Sequence, residues 1–177
     1  MLQIYDFFFI WQGVSRNFYE IFLPLSSNNY KYIYGKSNKG KGFAMLSYSN
    51  FGADPEGSPA SVHEVVEFMQ NEYPDLVIDG EMQVNFALDK KLRDTKYPFT
   101  RLFGKDVNTL VFPNLTSANI TQKLLQEMGD GEVIGPIQVG LKKPIHFTDI
   151  ESSVRDIVNI TRIAVVDAIV QEKREKK

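Results

Sequence analysis

The sequence predicts an α/β fold in which a mostly parallel sheet is covered by helices. Three observations point there. Short apolar runs alternate with longer segments of helical periodicity, which is the pattern of strand–helix–strand units. One of those segments places Val62, Val65, Val66 and Met69 at i, i+3, i+4 and i+7, a single buried helix face. No internal repeat is visible, so the pattern describes one layered domain.

Residues 43–48 read as the first strand. A helix opens at Ser58-Pro59, with the serine as cap and the proline at the first helical position, and Pro74 ends it. Leu76-Val77-Ile78 reads as a short buried strand and residues 84–93 as a helix. Residues 109–112 read as a strand. Residues 117–128 form a helix with Ile120, Leu124 and Met128 turned inward, and Gly129 is its stop. Residues 133–141 are expected to be partly extended, Ile145-His146-Phe147 to be a strand, and residues 153–172 to be the last helix.

Residues 1–42 differ from this. They are rich in aromatics, with weak periodicity of either kind, and Asn28-Asn29, Gly35 and Ser37-Asn38-Lys39-Gly40 are turn or linker chemistry. The expected division is therefore an atypical N-terminal segment, 1–42, and a domain, 43–177.

With 177 residues, 43% of them hydrophobic, the chain can bury an ordinary core. Its net charge of -2, without a basic stripe, argues against nucleic acid or an anionic membrane as partner. The absence of cysteine excludes disulfides, zinc-thiolate sites and thiol catalysis by the protein, and fits a reducing compartment. Phe7-Phe8-Phe9-Ile10-Trp11 is very apolar. It is far shorter than the roughly 20 residues of a membrane helix, and Asp6 without an early Lys or Arg does not suit a signal peptide. The expected location is the cytoplasm.

Several blocks carry possible chemistry. Ser47-Tyr48-Ser49-Asn50-Phe51-Gly52 follows a strand and offers hydroxyls, an amide and backbone N–H groups, the means to hold a phosphate or a thioester oxygen. Polar turns of this kind are also common as plain loops. The stretch from Phe112 to Asn119 leads from a strand into a helix, where free N–H groups and the dipole favour an anion; there Thr116 or Ser117 also reads as a simple cap. Asp79-Gly80-Glu81 places two carboxylates at a strand end, for acid/base work, for a metal, or for holding the loop. With His63 and His146 as the only histidines, no metal set is completed and none is expected. The spacing of Gly129, Gly131, Gly135 and Gly140 is not a dinucleotide fingerprint. Ser153-x-x-Asp156 reads as a capping box.

These blocks, with Met45-Leu46, Met82-Gln83, Leu110-Val111-Phe112-Pro113-Asn114-Leu115, Ile134-Gly135-Pro136-Ile137 and Val154-Arg155-Asp156-Ile157-Val158-Asn159, resemble the phosphate acetyl/butyryltransferase family. The likeness is greatest to the version fused to the C-terminus of large bacterial malic enzymes, and it covers residues 43–171. The resemblance implies a three-layer α/β/α sandwich, isocitrate/isopropylmalate dehydrogenase-like in architecture. It implies an acyl-CoA or acyl phosphate as partner, with acetyl-CoA or CoA as ligand and no covalently bound cofactor, and a homodimer. It assigns ligand binding to Ser47, Ser49, Asn50, Gly52, Asn114, Thr116, Ser117, Asn119, Gly135 and Pro136, and it makes Asp156 the candidate base on the CoA thiol.

In catalytic members a Ser-Arg-Gly segment precedes that aspartate; here Asp149, Ile150 and Glu151 stand in its place. A cation has become apolar and two acids have been added, which weakens attraction for phosphates. The resemblance therefore favours an acyl-CoA-sensing, oligomerising domain, a fragment lacking malic and NAD-binding domains, over a free phosphate acyltransferase or a remnant that binds nothing. Gly13 to Tyr19 resembles a part of the malic-enzyme tail that normally lies further upstream of Ser47. Two readings of residues 1–42 stand together: a truncation or frame change, or a divergent extension.

Overall fold

The computed structural model describes residues 8–11, 41–128, 134–137 and 143–175. The chain divides into two units, Met1–Asp130 and Gly131–Lys177.

In the first unit, four strands among the described residues form one sheet: β1 Phe8–Trp11, β2 Lys41–Leu46, β3 Ile78–Met82 and β4 Asp106–Phe112. Their order is β1-β4-β2-β3, and every pairing is parallel. Part of the aromatic N-terminal segment thus joins the sheet as an edge strand, in register Phe8 with Thr109 through Trp11 with Phe112.

Alternation along β2 builds two apolar layers. Phe43 and Met45 face one way, onto helix α1 (Gly57–Glu72), where Val62, Val65, Val66 and Met69 are buried with Leu76, Ile78 and Val111. Ala44 and Leu46 face the other way, into a second cluster with Met82, Ala87, Leu102, Val107, Leu110, Phe112 and Ala118. Ala87 belongs to α2 (Val84–Leu88) and Ala118 to α4 (Leu115–Met128). Helices therefore cover both faces, as the sequence predicts. The α1 face alone, four aliphatic side chains removed from water, contributes roughly 1.5–3 kcal/mol per residue.

Several expectations for the elements are corrected. Ser58 is not the cap of α1. The helix begins at Gly57 with Glu56 in the cap position and no side-chain bond there, and Pro59 sits third, still within the turn that lacks internal acceptors. The strand expected at Leu76-Val77-Ile78 starts only at Ile78 and runs on through Met82, so Asp79, Gly80 and Glu81 lie inside β3 rather than beyond it. Gly80 is required there. Its φ is +146°, and a Cβ would stand 2.5 Å from the carbonyl oxygen of Met45 on β2.

The single helix expected over 84–93 is two, because Asp89 ends α2 and its side chain accepts from Leu92 N–H (2.8 Å) to cap α3 (Lys90–Lys96). In α4 the residues expected inward are outward: Ile120, Leu124 and Met128 are 63%, 54% and 76% exposed. Ala118, Thr121, Gln122 and Leu125 form the covered side, at the same helical period but about a third of a turn away. Gly129 lies outside the described residues.

Arg93, on α3, is fully buried and donates to the carbonyls of Phe86, Ala87, Leu102 and Lys105. It ties the end of α2 to the segment that leads into β4.

The second unit, by itself, has irregular backbone over 134–137 and 143–153 and then α5 (Val154–Glu175). The expected strand at Ile145-His146-Phe147 is absent. There His146 Nε2 faces Asp167 Oδ2 of α5 at 3.5 Å instead. Of the expected extended stretch 133–141, residues 133 and 138–141 lie outside the described residues, and 134–137 are in no strand.

Candidate functional site

Parallel strands end together, and their C-terminal edge is where an α/β sheet forms its crevice. In the first unit β2, β3 and β4 end at Leu46, Met82 and Phe112, and a cleft of about 580 Å³ opens just beyond them. Leu46, Phe112, Pro113 and Val84 give it an apolar floor. Ser47, Tyr48, Ser58, Gln83, Asn85, Asn114 and Ser117 bring hydroxyl and amide groups. Among the described residues, no charged side chain lines it.

The loop after β2 is held by β3. Ser47 N–H donates to Met82 O (2.9 Å) and Phe51 N–H to Glu81 O (2.8 Å). Gln83 N–H donates to Asn50 Oδ1 (2.9 Å), and Gln83 Nε2 to Tyr48 O (2.7 Å). Ala53 N–H closes a turn on Asn50 O, with Phe51 and Gly52 both at positive φ, +49° and +80°. Asp54 N–H donates to Ser49 Oγ (3.0 Å). The Tyr48 hydroxyl donates to Asp54 Oδ2 (2.7 Å); this bond raises the Tyr48 pKa and lowers that of Asp54, which also accepts from Glu56 N–H.

Asn114 caps α4. Its Oδ1 accepts from Ser117 N–H (2.9 Å), its carbonyl accepts from Ala118 N–H (3.2 Å), and Ser117 Oγ donates back to that carbonyl. The expectation that Thr116 or Ser117 supplies the cap is thus corrected: the cap must precede the first helical residue, Leu115, and Asn114 does.

Of the expected ligand-binding positions, Ser47, Asn114 and Ser117 line the cleft. Ser49 is buried and accepts within its loop, Asn50 accepts from Gln83, and Gly52 N–H donates to Glu81 Oε1 (2.8 Å). Thr116 and Asn119 are exposed on α4 and do not line the cleft. Gly135 and Pro136 belong to the second unit. Tyr48, Gln83, Val84 and Asn85 line the cleft although nothing singled them out as ligand groups; the only signal was position, directly after a strand.

The two carboxylates of β3 are occupied. Asp79 Oδ2 accepts from Thr100 Oγ1 (2.6 Å) and Arg101 N–H (2.8 Å), and its Oδ1 accepts from Gly80 N–H and Gln70 Nε2. Glu81 is fully buried, between Gly52 N–H and the His63 ring. Both hold loops in place. Among the described residues, no group of three or more His, Asp or Glu converges as metal ligands, and no helix is long and apolar enough to cross a membrane.

In the second unit Asp156 stands in the first turn of α5. Its Oδ2 accepts from the N–H and the hydroxyl of Ser153 (2.9 and 2.7 Å), while Asp156 N–H donates to Ser153 Oγ (3.2 Å). This is the reciprocal box that the spacing predicts. The Ser153 side chain, then its backbone N–H, with Arg155 adding a smaller part, lower the Asp156 pKa below its ordinary value.

Residues 36–165 match the family described as "Phosphate acetyl/butaryl transferase". An NADP-dependent malic enzyme of Salmonella typhimurium is 40% identical over 126 residues, which is 71% of this chain and 16% of that enzyme. A phosphate acetyltransferase of Clostridium acetobutylicum is 40% identical over 125 residues, 71% of this chain and 37% of the relative. Among solved structures, the EutD phosphotransacetylase from Staphylococcus aureus superposes with a TM-score of 0.68 at 27% identity, over 84% of this chain and 44% of that one. A phosphotransacetylase from Streptococcus pyogenes gives 0.65 at 34% identity, over 76% and 40%. The chain thus spans less than half the length of these relatives. With about three-quarters of its residues inside the matched region, it belongs to the phosphate acetyl/butyryltransferase family.

Proposed function

We propose that this chain is a phosphotransacetylase-like domain of the kind found at the C-terminus of malic enzymes. It binds an acyl-CoA or acyl phosphate in the cleft beyond β2, β3 and β4, senses that ligand, and assembles as a homodimer in the cytoplasm. It does not catalyse acyl transfer alone, and any malate chemistry belongs to another domain.

The observation that carries this reading is the state of Asp156. A base acting on a thiol works best with a pKa near the operating pH. Asp156 is moved the other way, because its oxygen is engaged by Ser153 at the start of α5. Ile150, where the resemblance expects an anion-binding arginine, is 99% exposed and has no charge to offer. The cleft supports ligand binding without chemistry: an apolar floor with a few amide and hydroxyl groups suits the amides and thioester of an acyl-pantetheine arm. Ser47, Asn114 and Ser117 are the proposed contacts.

The alternative is a working phosphate acyltransferase that converts acetyl-CoA and phosphate to acetyl phosphate and CoA. Its support is the 40% identity to the Clostridium acetobutylicum enzyme. A free-thiol assay with acetyl-CoA and phosphate separates the two. The proposed reading expects no phosphate-dependent CoA release. Release that is lost on Asp156→Asn would establish the alternative.

A further inference from the structure

We infer that Glu81 is the positioning residue of the cleft, holding the turn at Phe51 and Gly52 and the His63 ring with one buried carboxylate. The inference rests on the proposed reading that the cleft takes an acyl-CoA.

Glu81 is one residue before the end of β3 and has no solvent exposure. Its three acceptors are all used. The main-chain oxygen takes Phe51 N–H (2.8 Å) and Oε1 takes Gly52 N–H (2.8 Å). Oε2 shares a hydrogen bond with His63 Nδ1 (3.1 Å), on α1, and the other nitrogen of that ring faces Glu67 at 3.7 Å. These partners do not line the cleft themselves but belong to elements that do. The loop 47–53 carries Ser47 and Tyr48, and α1 carries Ser58 near its start. β3 itself leads into Gln83.

A buried carboxylate is costly, and an apolar side chain of the same volume serves a core equally well or better. Bonds to a loop with two successive positive φ values give this one a use that packing alone does not require. The turn cannot be held by side-chain packing at Gly52, which has no side chain and open space where a Cβ would be. Glu81 reaches its main chain instead, and His63 keeps the carboxylate from turning away. Glu81 touches no cleft volume itself; it acts through Phe51, Gly52 and His63.

The test uses amide hydrogen exchange and calorimetric titration with acetyl-CoA on the same variants. Glu81→Met keeps the volume and removes both side-chain acceptors. The expected result is that Gly52 N–H exchanges faster by about tenfold or more relative to Val65 N–H in α1, with acetyl-CoA affinity reduced by a similar factor. Glu81→Gln keeps an acceptor for Gly52 and a donor for His63, and is expected to return both readings to within about threefold of the original protein. A general structural role would instead speed exchange at Val65 and Gly52 alike, and would overturn the inference. So would a folded Glu81→Met protein whose Gly52 exchange is unchanged. If Glu81→Met does not fold, His63→Ala decides: faster exchange at Gly52 alone supports the role, and no change refutes it. If the original protein binds no acetyl-CoA, the proposed function fails while the exchange measurements still decide the role of Glu81.

Discussion

Glu81 and Asp156 are both carboxylates that take hydrogen bonds from nearby backbone, and their surroundings differ. Glu81 is sealed inside the first unit, with partners 29 and 18 residues away in sequence. Asp156 is partly exposed in the second unit, and its partner is three residues away. Asp79 belongs with Glu81: buried, with Thr100 and Arg101 some 21 and 22 residues distant. The contrast teaches that these three carboxylates fix backbone, whether over a long loop or over one helical turn. The described lining of the cleft is neutral. That lining is the basis of the proposed reading, in which the cleft grips the amides and thioester of an acyl-CoA without chemistry.

The contrast breaks first at Asp79. Asp79→Ala strands the Thr100 hydroxyl and the N–H groups of Gly80 and Arg101, and should cost about 3 kcal/mol or more in urea denaturation. A loss below about 1 kcal/mol would mean the segment 97–105 is held by Arg93 and the aromatic contacts of Tyr97 alone. Next is Gly80→Ala, where a positive φ and the Met45 carbonyl leave no place for a methyl group; about 2 kcal/mol is expected by the same measurement. Asn114→Ala removes the cap of α4 and should cost about 1 kcal/mol. It should also weaken acetyl-CoA binding, because Asn114 is a lining residue, whereas Asp79→Ala in the folded population should not act on the ligand directly.

The smallest effect is the pH response of α5. Asp156 has a folded pKa below its unfolded value of 3.8, so its contribution is present above 3.8 and is lost as pH falls through the lower, folded value. Helicity of the protein, followed by circular dichroism during acid titration, should differ from that of Ser153→Ala at neutral pH. The two should converge at strongly acid pH. A difference that persists in acid would show that the bond between Ser153 and Asp156 is not what caps α5.

Much of the layered fold was legible from periodicity. The α1 face at Val62, Val65, Val66 and Met69 is buried as the spacing predicts, and the box at Ser153 and Asp156 is local enough to read directly. What sequence could not show was distance in space. Asp79-Gly80-Glu81 reads as a strand end, and lies inside β3 because Thr100, Arg101, Gly52 and His63 arrive from elsewhere to satisfy the carboxylates. In α4 two faces compete. The one containing Ile120, Leu124 and Met128 is the more hydrophobic, yet the small Ala118 side lets the helix approach the sheet. At the cleft, the strand ends were readable and gave Ser47, Asn114 and Ser117. Gln83 and Asn85 were not, because an amide directly after a strand looks the same whether it holds a loop or meets a ligand.

The most direct test of the central claim is calorimetric titration of the full chain with acetyl-CoA. Micromolar binding is the predicted result, since the described lining of the cleft comes from the first unit. No binding at millimolar ligand by a folded protein would contradict it, and would leave the neutral cleft without the occupant assigned to it.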